Sequence, residues 1–438
     1  MKSCSISRFA TWAAIFATTV GPTGPAFAEN PVQMAASAGG LLETCFLGSS
    51  QFTRPDAEQR ADVCSQALQL HGLTPAQVAL ARFNRGIARM AMGDRVLATG
   101  DYQEALRHYD NVIDSNAPDA LALYRRGVIL DGLGQTDRAL SDFNEAIRLA
   151  PDEPRAFFER GVLLASRRRR AYDRAISDFD RALELAPNNL PALVRRGDAY
   201  GKIGDFGRAL ADLDRAVQIA PYNAQARVLR GLANGRRGEN ALAMRDYNIA
   251  LNLDPTDVDA LVNRAAIYAV DGEQDLALAD LTAAIAIERH NPLAFYNRGY
   301  VHFAKHEYDL AIADYSAAIR LDADMGLAFN NRCLTRTIVG KDLVAALEDC
   351  DTALKMMPTN LDVRVTRGFI YLKLGEPAIA ITEYNAVLAI DANRALALHG
   401  RGLAHRKLGH EKEGEADQAA ARALNPGIER QFSMYDVI

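Results

Sequence analysis

Ten arginines recur down this chain at a nearly fixed interval: Arg85, Arg126, Arg160, Arg196, Arg230, Arg264, Arg298, Arg332, Arg367 and Arg401. Six of the nine steps are 34 residues, and the other three are 41, 36 and 35. A self-similar unit of that length cannot bury its own apolar face, so it must stack on its neighbours into an array. A chain spent on repeats also has little left for a separate catalytic domain.

With Arg126-Gly127 as the reference, one unit covers residues 120–153. Leu121, Leu123, Tyr124, Val128 and Leu130 have helical spacing, and Gly134 ends that stretch. Ala139, Phe143, Ala146 and Ile147 mark a second helix, which Pro151 stops because proline cannot continue a helix interior. The unit is two antiparallel helices joined by a short turn. The first repeat has seven extra residues, with Gly93-Asp94 echoed at Gly100-Asp101. Seven residues are about two helical turns, so a lengthened helix is expected there and not an added loop. The third repeat has two extra residues near 167–170.

The recurring arginine has a matched acid in the second helix: Asp142, Asp178, Asp212, Asp246, Asp280, Asp314, Asp349, Glu383 and Asp417. At this offset the first repeat alone departs, with His108. Opposite charges that follow the repeat, and no surface patch, read as a ladder across the hairpins and not as a binding stripe.

The pattern resembles the tetratricopeptide repeat. That motif places a small residue where Gly127 stands, alanines at Ala139 and Ala146, an aromatic at Phe143 and a proline at Pro151. The set returns as Gly197, Ala209, Leu213, Ala216 and Pro221, and as Gly231, Ala243, Tyr247, Ala250 and Pro255. Ala265 and Cys333 replace the glycine in repeats six and eight, and Gly414 replaces the first alanine in the last repeat. The resemblance implies an all-α chain: a right-handed superhelical solenoid of about ten helix-turn-helix repeats over residues 75–426. It also implies a concave groove used to bind a protein or peptide partner.

The N-terminus has the three parts of a secretory signal: basic Lys2 and Arg8, an apolar stretch over residues 9–20, and an A-x-A site at Ala26-Phe27-Ala28. Cleavage is expected before Glu29. No later segment offers 18 apolar residues, so a soluble mature chain, exported to the periplasm, is expected with no transmembrane segment. Removing the signal removes Cys4 and leaves Cys45, Cys64, Cys333 and Cys350, an even number suited to an oxidising compartment. Two local pairs are favoured. Cys45–Cys64 would clip an N-terminal helical cap within residues 29–74. Cys333 and Cys350 fall at the close-approach and aromatic positions of one repeat, as a disulfide or as two packed thiols. The tail, residues 427–438, still carries Phe432, Met434, Tyr435, Val437 and Ile438 and is expected to cover the last hairpin.

The chemistry-bearing motifs are absent. No G-x-S-x-G, Walker A loop or H-E-x-x-H occurs, so neither an enzyme nor a cofactor is indicated. No C-x-x-C is present, which argues against zinc. His302 and His306 have metal-pair spacing but fall on a core-facing position and in a turn, without a third ligand nearby. With 50 basic and 55 acidic residues, the chain lacks the basic footprint that nucleic acid requires. The run of arginines at 167–170 reads as a solvated turn.

One row suits recognition. The residue before the recurring arginine is Asn263, Asn297 and Asn331 in three consecutive repeats, and Asn84 in the first. In similar repeats, asparagines at this offset face the groove and hydrogen-bond the backbone of an extended peptide. A carboxamide carries both a donor and an acceptor, which match a peptide unit without demanding a side chain. Tyr296, Tyr300, Phe303, Asn330 and Phe369 are expected beside the row, where aromatics supply contact area at low entropic cost. The basic-plus-asparagine set that clamps a C-terminal carboxylate is absent, so an extended internal segment across repeats six to eight is the expected ligand. The other reading is a subunit of an envelope assembly, such as polysaccharide export or secretion machinery, acting through its outer surface.

Overall fold

The computed structural model describes residues 38–46, 54–115, 119–167 and 172–433. The expected export signal, the arginines after Arg167 and the final residues from Met434 lie outside them. Twenty-three helices and no strand occur among the described residues, and none of these helices is long and apolar enough to cross a membrane. Two compact units divide between Pro255 and Thr256.

In the N-terminal unit, α1 (Ala38–Phe46) and α2 (Arg54–Ala67) precede five helix pairs. These are α3 (Pro75–Ala91) with α4 (Arg95–Asp114), α5 (Ala120–Gly132) with α6 (Thr136–Leu149), α7 (Pro154–Arg167) with α8 (Tyr172–Leu185), α9 (Leu190–Ile203) with α10 (Phe206–Ile219), and α11 (Ala224–Arg236) with α12 (Asn240–Leu253). The C-terminal unit holds α13 (Val258–Asp271) with α14 (Gln274–Ile287), α15 (Pro292–Ala304) with α16 (Tyr308–Leu321), and α17 (Gly326–Val339) with α18 (Leu343–Met356). There follow α19 (Leu361–Lys373) with α20 (Pro377–Leu388), α21 (Ala395–Lys407) with α22 (Glu411–Leu424), and a short α23 (Ile428–Ser433).

Local signals set the boundaries. Thr74 opens α3 with a reciprocal capping box to Gln77, and Asn189, Asn223, Asp257 and Asn291 each cap a first helix by accepting from the backbone three residues on. Most hairpin turns use a glycine at positive φ, such as Gly204 at 85° and Gly272 at 84°. In the turn after α15 that place belongs to His306, at 62°.

The small residue of each first helix is dictated by its partner. A Cβ built on Gly127 would stand 2.6 Å from the Phe143 ring, and one on Gly231 would stand 2.7 Å from Tyr247. Phe143 and Tyr247 are almost wholly buried beneath these glycines, and each contributes roughly 1.5–3 kcal/mol of apolar transfer. A smaller partner does not by itself release the glycine: a Cβ on Gly197 would stand 2.8 Å from Leu213. In two repeats another residue holds the glycine's place: Ala265, which is fully buried, and Cys333, which is bonded to Cys350. Cys45 is likewise bonded to Cys64, joining α1 to α2 as the clip that the cysteine spacing favoured.

The extra residues of the first repeat lengthen α4 to 20 residues, against 14 in α6. Their placement corrects one expectation. The acid facing Arg85 is Asp101, at the usual spacing of 16 residues, and His108 lies further along the same helix. The insertion follows the acid instead of preceding it, so every described repeat has a carboxylate partner.

Within each unit, consecutive first helices touch one another, as α5–α7–α9 and α13–α15–α17 do, and consecutive second helices make no comparable contact. The first helices therefore form an inner wall in each unit. The second helices form the outer layer.

Candidate functional site

The recurring arginine is a fork between helices. Arg126 donates from Nε to Asp142 Oδ2 at 2.7 Å and from Nη2 to Asp142 Oδ1 at 2.8 Å. Its third nitrogen, Nη1, reaches Asp110 of the preceding pair at 3.0 Å. The same double reach occurs at Arg196 (Asp212 and Asp180), Arg230 (Asp246 and Asp214), Arg332 (Asp349 and Ser316) and Arg401 (Asp417 and Asn385). The hydrogen bonds to Asp142 and Asp212 raise the Arg126 and Arg196 guanidinium pKa values despite opposing desolvation. The backward bond was missed in the sequence, although Asp180 and Asp214 stand two residues beyond their ladder acids and Asp110 stands two beyond His108. Asn144, Ser316 and Asn385 replace the acid elsewhere and blur the pattern.

In the C-terminal unit, α15 and α17 bring part of the expected binding row together. Asn331 Nδ2 donates to the Tyr296 hydroxyl at 3.2 Å, and Asn330 Nδ2 donates to Asn331 Oδ1 at 3.1 Å. Asn330 Oδ1 is buried and has no hydrogen-bond partner. Tyr296 is half-buried with its ring 5.9 Å from Tyr315, and burial pushes its phenol up to about 12. Tyr300 and Phe303 are half-buried on the same helix, with Phe303 edge-on to Tyr308 at 5.7 Å.

Other members of the row do not join this cluster. Asn263 Nδ2 donates to Asp259 O of its own helix at 2.8 Å. Asn297 is buried. Phe369 corrects the sequence reading: it is 1% exposed and offers no open face. Phe432 of α23 covers it with rings 4.7 Å apart, and Tyr384 packs against it at 6.0 Å. Phe432 also packs on His399, at 4.5 Å. The tail thus supplies its own aromatic to the end of the wall.

His302 and His306 have separate partners. His302 Nδ1 lies 2.6 Å from Glu307, and His306 Nδ1 lies 2.7 Å from the Tyr308 hydroxyl. No group of three metal-ligating side chains occurs among the described residues.

In the N-terminal unit the residue before the arginine is Asn84, Arg125, Glu159, Arg195 and Leu229. Two of these are charged yet buried: Glu159 and Arg195 are each 8% exposed. Sequence patterning gave no sign of this, because charged residues on a helix read as solvated.

Tetratricopeptide repeat family models match residues 90–154, 129–189 and 194–258, and a second such model matches residues 292–325. Among solved structures, a tetratricopeptide repeat protein from Parabacteroides merdae is similar at 20% identity, covering 59% of this chain and 99% of its own, with a TM-score of 0.44. Pseudomonas aeruginosa PilF is similar at 16% identity, covering 51% and 97%, with a TM-score of 0.44. YrrB, described as a TPR protein with an unusual peptide-binding site, is similar at 24% identity, covering 42% and 95%, with a TM-score of 0.34. No curated protein matches the chain.

Proposed function

This chain is a tetratricopeptide repeat protein, and from that premise we propose that it is an exported scaffold holding an extended segment of a partner protein on the wall of α13, α15 and α17. The observation that carries the reading is the carboxamide cluster of Asn330, Asn331 and Tyr296, which bridges two adjacent first helices and leaves one amide oxygen without a partner. An unsatisfied buried acceptor costs roughly 1–3 kcal/mol, which a peptide N–H from a bound segment recovers. Tyr300 and Phe303 provide the flat apolar area beside it. No catalytic step is assigned. Export rests on the tripartite N-terminus, and the two disulfides suit the oxidising compartment it leads to.

A subunit role through the outer layer is the second reading. Leu276, Ile287, Leu310 and Leu321 are exposed on α14 and α16, which favours a contact there. One experiment separates the two. The mature chain, beginning at Glu29, serves as bait in a periplasmic extract beside the triple variant Asn263→Ala, Asn297→Ala, Asn331→Ala. Loss of the captured protein with a Tm within about 3 °C of the parent supports the inner wall. Undiminished capture moves the contact to the outer layer.

A further inference from the structure

Glu159 lies midway along α7, between the first helices α5 and α9. It is more than nine-tenths buried, and its Oε1 has no hydrogen-bond partner. The charged and phenolic groups that act on it come from α4, α5 and α9. Asp131 and Tyr124 face it from α5, Tyr102 from α4 and Arg195 from α9. Beyond Arg195 on α9, Asp198 stands 4.0 Å from Lys202. On its own helix, Arg155 is engaged by Glu153 and stacks 5.5 Å over the Tyr124 ring. On α5, Arg125 acts on Tyr109 and Tyr124.

Of Asp131, Glu159 and Asp198, Glu159 is the most buried, and its Oε1 has no hydrogen-bond partner. A buried acid is costly unless it is neutral or paired. Burial, with the Asp131 charge adding to it and Arg195 opposing, pushes the Glu159 carboxyl up to about 8. At neutral pH the free protein therefore holds Glu159 as the acid.

We infer that the inner wall of α5, α7 and α9 is a binding site for one cationic side chain, the guanidinium or ammonium head of a partner's arginine or lysine, received by Glu159 together with Asp131. A guanidinium presents two parallel N–H groups to a carboxylate. Arrival of the cation ionises Glu159, and the proton leaves to the solvent. Binding at pH 7 is thus coupled to release of one proton. The site lies in the unit that does not contain Asn331, so it stands or falls apart from the proposal for α13, α15 and α17.

The test uses the full mature chain and butylguanidinium, the isolated arginine head, with butylammonium and butyrate alongside. Calorimetry at pH 7 in phosphate and in Tris reads the proton released, and carbon-13 NMR of labelled glutamate carboxyls reads Glu159. The expected result is binding of both cations but not of butyrate, with about one proton released per cation bound. Glu159→Gln should weaken butylguanidinium about tenfold, equivalent to one hydrogen bond to a charged group, and abolish the proton release. Asp131→Asn should weaken binding and reduce the proton release, because Glu159 is then more ionised beforehand; this variant keeps the test readable if Glu159→Gln fails to fold. No shift of the Glu159 carboxyl at tens of millimolar cation, or equal binding and proton release in both variants, overturns the assignment.

Discussion

Arg126 grips Asp142 of its own hairpin with two hydrogen bonds and Asp110 of the preceding hairpin with a third. The first acid is almost wholly buried and the second is about one-third exposed. The two bonds therefore differ in consequence although both are short. Asp142→Asn leaves a guanidinium in a desolvated site without its charge partner and should cost about 3 kcal/mol. Asp110→Asn keeps an acceptor in a solvated position and should cost about 0.2–1 kcal/mol. Urea unfolding of the two single variants measures the difference. Equal losses would mean that the in-hairpin and between-hairpin contacts are equivalent.

The ladder has one poorly made rung. Arg367 and Glu383 approach only to 3.4 Å, and Arg367 Nε and Glu383 Oε2 are both buried without a hydrogen bond. Glutamate is one methylene longer than the aspartate used in the other rungs and does not meet the fork squarely. Glu383→Asp should restore two parallel bonds and raise stability by about 1 kcal/mol. A lower urea midpoint in this variant contradicts the steric account.

Cys333–Cys350 joins the same two helices as Arg332 and Asp349. The loop it closes is short, and a bridge of this length contributes about 3 kcal/mol in chain-entropy terms. Thiol titration of the denatured, unreduced mature chain should find no free thiol. Reduction should lower the midpoint of the C-terminal unit. Four free thiols would remove both bridges, and the compartment argument with them.

Stability of the N-terminal unit should fall as pH rises. Burial raises the carboxyls of Glu159, Asp131 and Asp198, with Asp131 adding to the Glu159 shift. Between the ordinary carboxylate range and about 8, the folded chain holds more protons than the unfolded chain. Unfolding therefore becomes easier as pH rises through that window. Glu159→Gln should flatten the upper part of the profile. A profile that rises from pH 5 to 8 in the parent, or one that the substitution leaves unaltered, is inconsistent with a buried protonated acid.

The repeat period, the turn glycines, the close-approach residues and nine rungs of the ladder were legible because each depends on local spacing repeated many times. The tenth rung was not, because a period carried across the longer α4 points to His108, and only the packed helices reveal Asp101. Phe369 was read correctly as a residue of the first-helix row, but its cover by Phe432 comes from 63 positions away and leaves no periodic trace. Asn263, Asn297 and Asn331 share an offset, yet only Asn331 meets a tyrosine, because the residue 35 positions earlier is Tyr296 there and Val262 or Val228 for the other two. Glu159 illustrates the converse. Its burial depends on α5 and α9 closing over it, which no property of α7 announces.

The most direct measurement of the account is hydrogen exchange of the mature chain with and without its captured partner. Binding on the inner wall should slow exchange in α13, α15 and α17, most of all around Tyr296 and Asn331, and leave α14 and α16 unaltered. Slower exchange in α14 and α16, with the amides of α15 and α17 unaffected, would contradict the scaffold reading and place the partner on the outer layer.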